Sequence, residues 1–210
     1  MKHLKTYYRR HLPHYQPPDA TYHIVFRLAG SLPQEVIERL REEREAEEKW
    51  IAGIGSPRRK NEHWRSHQEA CFEKFDALLD GDSQGPRWLA DERVAAIVAE
   101  ALRYRDGSEY DLLAYCIMPN HVHLVHSAVG RNGIPTYKML QSLKRHTARK
   151  ANIVLQRSGA FWQSESYDHV IRNGEELERT IRYVLENPVN VALAESWGQW
   201  QWTYVKPGLL

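Results

Sequence analysis

Two histidines flank one apolar residue at His121-Val122-His123, inside the strand-like run Met118-Pro119-Asn120-His121-Val122-His123-Leu124-Val125. Successive side chains of a strand point to opposite faces, so the two imidazoles share a face while Val122 and Leu124 pack behind it. That is half of a metal site. Without further ligands the same pattern is a pair of half-exposed histidines on an antiparallel strand.

The remaining chemistry sits near the C-terminus, at Arg182-Tyr183-Val184-Leu185-Glu186-Asn187-Pro188-Val189. Asn173 is placed to cap a helix there, with Glu176 three residues on as a capping-box acid and Pro188 as the stop. Leu177, Ile181, Val184 and Leu185 form the apolar stripe. At about 100° per residue, Tyr183 falls roughly 140° from the centre of that stripe and Asn187 roughly 100°. Neither is expected in the core. They lie one helical turn apart on a polar flank, where a phenol and an amide oxygen can approach one ion. Tyr183 is then the candidate nucleophile, against the alternative of an exposed or interface tyrosine.

Together with Phe161-Trp162-Gln163, Asp168-His169-Val170-Ile171-Arg172 and the opening segments Arg9-Arg10-His11-Leu12-Pro13-His14-Tyr15 and Thr21-Tyr22-His23-Ile24-Val25-Phe26-Arg27-Leu28, these motifs give the chain a family likeness. It resembles the REP-associated tyrosine transposases, single-tyrosine HUH nucleases of the IS200/IS605 superfamily. The resemblance spans most of the chain except part of about 33–86, and it rests on the order and spacing of the motifs.

The resemblance implies a divalent ion on His121 and His123 and attack on phosphorus by Tyr183, leaving a 5′-phosphotyrosine and a free 3′-OH. The covalent bond conserves energy, so rejoining needs no ATP. By analogy with relatives that place a polar ligand one turn after the tyrosine, Asn187 is the third ligand, although the better-known insertion-sequence enzymes carry glutamine there. Imidazole plus an amide oxygen is compatible with Mg²⁺ or Mn²⁺ and diagnostic of neither. The implied partner is single-stranded or hairpin DNA carrying REP-like palindromes, and the implied state is a monomer, with a dimer as the alternative. Two rival readings are a non-catalytic hairpin-DNA-binding protein that keeps the fold, and a histidine-ligated metal phosphoesterase.

The net charge of +2 signals no partner, but its distribution does. From Arg131 through Arg157 the charged residues are Arg131, Lys138, Lys144, Arg145, Arg149, Lys150 and Arg157, with no acid among them. Lys138, Arg145 and Arg149 recur at i, i+7 and i+11, a row suited to a phosphate backbone. Arg9, Arg10 and Lys144 complete the expected DNA contacts. No apolar run approaches a membrane span, no signal peptide is read before Met1-Lys2-His3-Leu4-Lys5, and the cytoplasm is the expected location. Cys71 and Cys116 are expected as free thiols. His63 and His67 have helical ligand spacing but no accompanying glutamate or cysteine pattern, and read as a solvated face.

These residues need a scaffold. Alternation marks a strand over Tyr22 to Leu28, and helical spacing marks Asp91 to Tyr104. Strands follow at Tyr110 to Met118 and His121 to Ala128, with a bend at Pro119-Asn120. A helix is expected from about Pro135 to Gln156, stacked on Tyr137, Leu140, Leu143, Thr147, Ala151 and Val154, then a strand over Ser166 to Arg172 and the tyrosine helix. The order βαββαβα predicts an α+β, ferredoxin-like antiparallel sheet, the HUH nuclease core, with helices on one face. Residues 1–210 are expected to form one HUH/Y1 transposase-like domain with a helical insertion at about 34–86 after the first strand. Within the insertion, Gln34 to Trp50 is a charged helix, Gly53 to Lys60 a linker, and Glu62 to Leu79 a second helix, read either as a solvated hairpin or as a grip on DNA. Trp197, Trp200 and Trp202 are read as packing residues.

Overall fold

The computed structural model describes residues 7–9, 13–15, 20–81, 85–127 and 134–210. Strands β1 (Tyr7–Arg9) and β2 (Pro13–Tyr15) pair in antiparallel fashion. β3 spans Thr21–Leu28, and the insertion follows it with α1 (Gln34–Ala52) and α2 (Pro57–Asp80). Then come α3 (Glu92–Tyr104), β4 (Asp111–Ile117), β5 (His121–Ser127), α4 (Thr136–Val154), β6 (Trp162–Ile171), α5 (Gly174–Asn190) and a short β7 (Thr203–Val205).

β3 to β7 form a fully antiparallel sheet in the order β6-β3-β5-β4-β7. Without the edge strand β7, the order is fourth, first, third, second in chain sequence, which is the ferredoxin-like arrangement. The fold class read from the sequence is therefore the observed one. β3 is central and buried along nearly its whole length, which explains an apolar run interrupted only by His23 and Arg27.

One sheet face carries Tyr22, Ile24, Phe26, Leu112, Val122 and Leu124 and packs against α3 and α4. α3 starts where the Asp91 side chain accepts from the Arg93 N–H, and buries Val94, Ala95, Val98, Ala101 and Leu102. α4 buries Leu140, Leu143, Thr147 and Ala151 as expected, and the Trp162 indole N–H donates to Thr147 Oγ1 at 2.8 Å, tying α4 to β6.

The sequence predicts helices on one face alone. The structure differs: α5 covers the opposite face, where Ile181, Val184 and Leu185 meet Ala114, Cys116, Met118 and Val125. Pro188 does not stop α5 either. Proline lacks an N–H but keeps its carbonyl, and the Pro188 carbonyl accepts from Leu193 N–H at 2.8 Å while Ala192 turns the chain with φ 56°.

The chain divides into two compact units, one of 1–29 with 87–210 and one of 30–86. The second is a pair of charged helices. Glu43 of α1 and Lys74 of α2 form an ion pair, and Arg41–Glu45 and Arg44–Glu48 pair at i,i+4 along α1. α2 begins at Pro57, inside the expected linker, because proline suits the first helical turn. Neither Cys71 nor Cys116 forms a disulfide among the described residues. No described helix is long and apolar enough to cross a membrane.

Candidate active site

β5 alternates His121, His123 and Val125 on one face with Val122, Leu124 and His126 on the other. His121 and His123 share the α5 face of the sheet and are fully buried, where half-exposure was the alternative. Their Nε2 atoms lie 2.9 Å apart. Behind them, His121 Nδ1 stands 2.7 Å from Asn120 Oδ1, and His123 Nδ1 stands 3.2 Å from Nε2 of His23. Burial first, then the neighbouring His123, hold the His121 imidazolium far below its ordinary range. Burial does the same to His23, helped by His123 and His169. A neutral imidazole keeps the lone pair that a metal needs.

α5 brings Tyr183 to this face. Its ring is half-buried and edge-on to His123, with centroids 6.0 Å apart, and edge-on to His23 at 6.4 Å. Asn187 follows one turn later and is 1% exposed. The polar flank expected for it is absent because sheet strands and the segment carrying Val191, Leu193, Trp200 and Leu209 cover a wider arc of α5 than its apolar stripe. Among the described residues, neither the amide oxygen nor the nitrogen of Asn187 has a hydrogen-bond partner. An orphaned buried amide is costly unless something outside the chain satisfies it.

The histidine spacing fits a divalent cation. Two nitrogens about 2.1 Å from one ion, at a right angle, stand roughly 3 Å apart. His121 and His123 could hold such an ion through Nε2.

The start of α5 is anchored to the same face. Asn173 accepts from Glu176 N–H at 2.8 Å, the expected cap. The Glu176 carboxylate accepts from Arg172 N–H at 2.8 Å and pairs with His169 Nε2 at 2.7 Å. Burial pushes this carboxyl up, and the His169 and Arg172 hydrogen bonds outweigh it, leaving the group below the usual glutamate range.

Lys138, Arg145 and Arg149 are exposed on α4, and none forms an ion pair among the described residues. Lys144 turns inward: its ammonium reaches the carbonyls of Gln163 at 2.9 Å, Glu165 at 3.2 Å and Ser164 at 3.4 Å, binding α4 to β6. Arg9 is placed only as a strand residue of β1, and Arg10 lies outside the described residues. Of the three C-terminal tryptophans, Trp200 donates to the Ile117 carbonyl at 3.0 Å and Trp202 packs on the core, while Trp197 is 38% exposed.

The sequence reading missed His23 and Arg27, which share the histidine face from β3. In register, Arg27 pairs with His121 and Val25 with His123. Burial pushes the Arg27 guanidinium down to about 10. Alternation along β3 signals that His23 and Arg27 share a face, but only strand register says whose.

Residues 88–187, a segment that contains both histidines, Tyr183 and Asn187, match the family described as Transposase IS200 like. Among solved structures the fold is similar to that described as the REP-associated tyrosine transposase bound to a REP hairpin, with a TM-score of 0.52 and 13% identity over 93% of this chain and 80% of that one. No curated protein sequence matches the chain.

Proposed function

We propose that the protein is a metal-dependent single-strand DNA endonuclease and strand transferase that nicks and rejoins DNA beside palindromic hairpins. The reading is carried by one observation: the Nε2 atoms of His121 and His123 stand 2.9 Å apart on the face where the Tyr183 ring lies 6.0 Å from that of His123. The Tyr183 phenol oxygen attacks phosphorus, the bond to the 3′ oxygen breaks, and the phenol proton is lost as the 3′-OH gains one. The product is a 5′-phosphotyrosine. Attack by a 3′-OH reverses the step, and the phenol is the better leaving group.

His121, His123 and Asn187 would hold Mg²⁺ or Mn²⁺, and Lewis-acid polarisation of the scissile phosphate is the chemistry such an ion supplies. The buried imidazoles stay neutral for ligation, and the orphaned Asn187 amide gains a partner. Lys138, Arg145 and Arg149 contact phosphates, joined by Arg9, Arg10 and Lys144, whose ammonium also reaches three carbonyls of β6. A REP-like hairpin is the proposed substrate, because the similar solved structure is described as bound to a REP hairpin. We place the protein in the cytoplasm as a monomer, with residues 1–210 working as one domain that carries its insertion at about 34–86.

Labelled hairpin DNA incubated with protein and Mg²⁺ or Mn²⁺, then run on a denaturing gel, tests the reading. A protein-linked strand supports it. Binding without cleavage selects a non-catalytic hairpin binder, and free nucleotide products without an adduct select a phosphoesterase.

A further inference from the structure

Two imidazoles that present Nε2 lone pairs to one ion must each carry their proton on Nδ1. A buried N–H needs an acceptor, and in histidine metal sites that acceptor fixes both tautomer and ring orientation. For His121 it is Asn120 Oδ1, 2.7 Å from Nδ1. For His123 the atom in that place belongs to another histidine: Nε2 of His23 stands 3.2 Å from His123 Nδ1.

We infer that His23 is a positioning residue that holds the His123 imidazole with its Nε2 lone pair toward His121, and so sets the affinity of the pair for a divalent cation. This rests on the ion reading proposed above. His23 Nε2 accepts from His123 Nδ1–H, which places the proton of His23 on its own Nδ1. The two rings lie edge to edge and nearly coplanar, with centroids 5.4 Å apart and planes 26° apart, as an in-plane hydrogen bond between them requires. β3 fixes His23 in turn. It is 3% exposed, its backbone pairs with Val125 on one side and His169 on the other, and its ring meets the edge of Tyr183 at 6.4 Å. One side chain thus steadies a ligand and flanks the nucleophile. A merely space-filling role would be served by any ring of that size.

The test separates the acceptor from the shape. His23→Phe keeps a ring and has no acceptor, whereas His23→Gln lacks the ring and offers an amide oxygen. Mn²⁺ binding to the DNA-free protein, followed by electron paramagnetic resonance, should weaken roughly 10- to 100-fold in His23→Phe and recover most of that loss in His23→Gln. Wild-type affinity in His23→Phe, or equal losses in both variants, overturns the inference while leaving the ion reading intact. No Mn²⁺ binding by the wild type overturns both. Nitrogen NMR of histidine-labelled wild-type protein with Mg²⁺ needs no variant. A proton on Nδ1 of His123 supports the inference, and a proton on Nε2 overturns it.

Discussion

His121 and His123 are alike in type and spacing and unlike in what backs them, an amide oxygen for one and a third imidazole for the other. If both serve the chemical step more than the grip on DNA, His121→Ala and His123→Ala should each abolish strand cleavage while hairpin binding, read by mobility shift, stays largely intact. Near-normal cleavage by either variant removes the shared ion from the mechanism. Asn187→Ala should reduce cleavage less, since a neutral amide contributes less to holding a divalent cation than an imidazole. Tyr183→Phe keeps the ring contacts with His23 and His123 and removes the attacking oxygen, so it should fold, bind metal and bind DNA, yet form no covalent adduct. Mass spectrometry of a trapped DNA-peptide adduct decides the nucleophile. A modified peptide containing Tyr167 or Tyr204 in place of Tyr183 would show that the wrong tyrosine has been assigned.

At the scale of elements, α5 and α4 carry the burden. α5 holds Tyr183 only as firmly as its first turn is held, and Asn173 satisfies one of the N–H groups there. Asn173→Ala should cost about 1 kcal/mol in urea unfolding, with the cleavage rate falling further than binding. A variant as stable and active as the wild type would show that Glu176, through His169 and the Arg172 N–H, anchors the helix alone. On α4, alanine at Lys138, Arg145 or Arg149 should each weaken DNA binding and lower the slope of log affinity against log salt by roughly one unit for each phosphate no longer neutralised. Unchanged slopes would make this an ordinary solvated face. Lys144→Ala should act differently, loosening the packing of α4 on β6, because its ammonium is taken up by three carbonyls of that strand.

Across the whole molecule, the ferredoxin-like sheet buries histidines on both faces, and this makes the fold acid-sensitive. His126 lies between Tyr22 and Tyr110 on the α3/α4 face, and burial lowers its pKa to about 4. The unfolded chain binds this proton near pH 6.5 and the folded chain does not. The contribution of His126 is therefore constant above that pH and is lost as pH falls toward 4, by about 1.4 kcal/mol per unit and roughly 3 kcal/mol in all. His23 and His121, shifted in the same direction, add to the effect. The stability difference between wild type and His126→Leu, measured by denaturant titration from neutral pH down to about 4, should change by about one proton's worth. A pH-independent difference would mean that His126 is protonated inside the fold.

Local pattern determined much of this protein. Period-two alternation put His121 and His123 on one face, helical spacing and a cap located α3, α4 and the start of α5, and the order of elements specified a ferredoxin-like sheet, since each of these depends on neighbours in the chain. What needed the tertiary structure depends on neighbours across it. α5 lies over the histidine face because the apolar stripe of Ile181, Val184 and Leu185 finds its complement in Ala114, Cys116 and Val125. That packing buried Asn187, which its own helix had placed on a polar flank, and β7 was too short to stand out until β4 paired with it. His23 is separated from His123 by 100 residues, and nothing in the composition of either segment encodes a strand register. Only the antiparallel pairing of β3 with β5 could set the third imidazole behind the second.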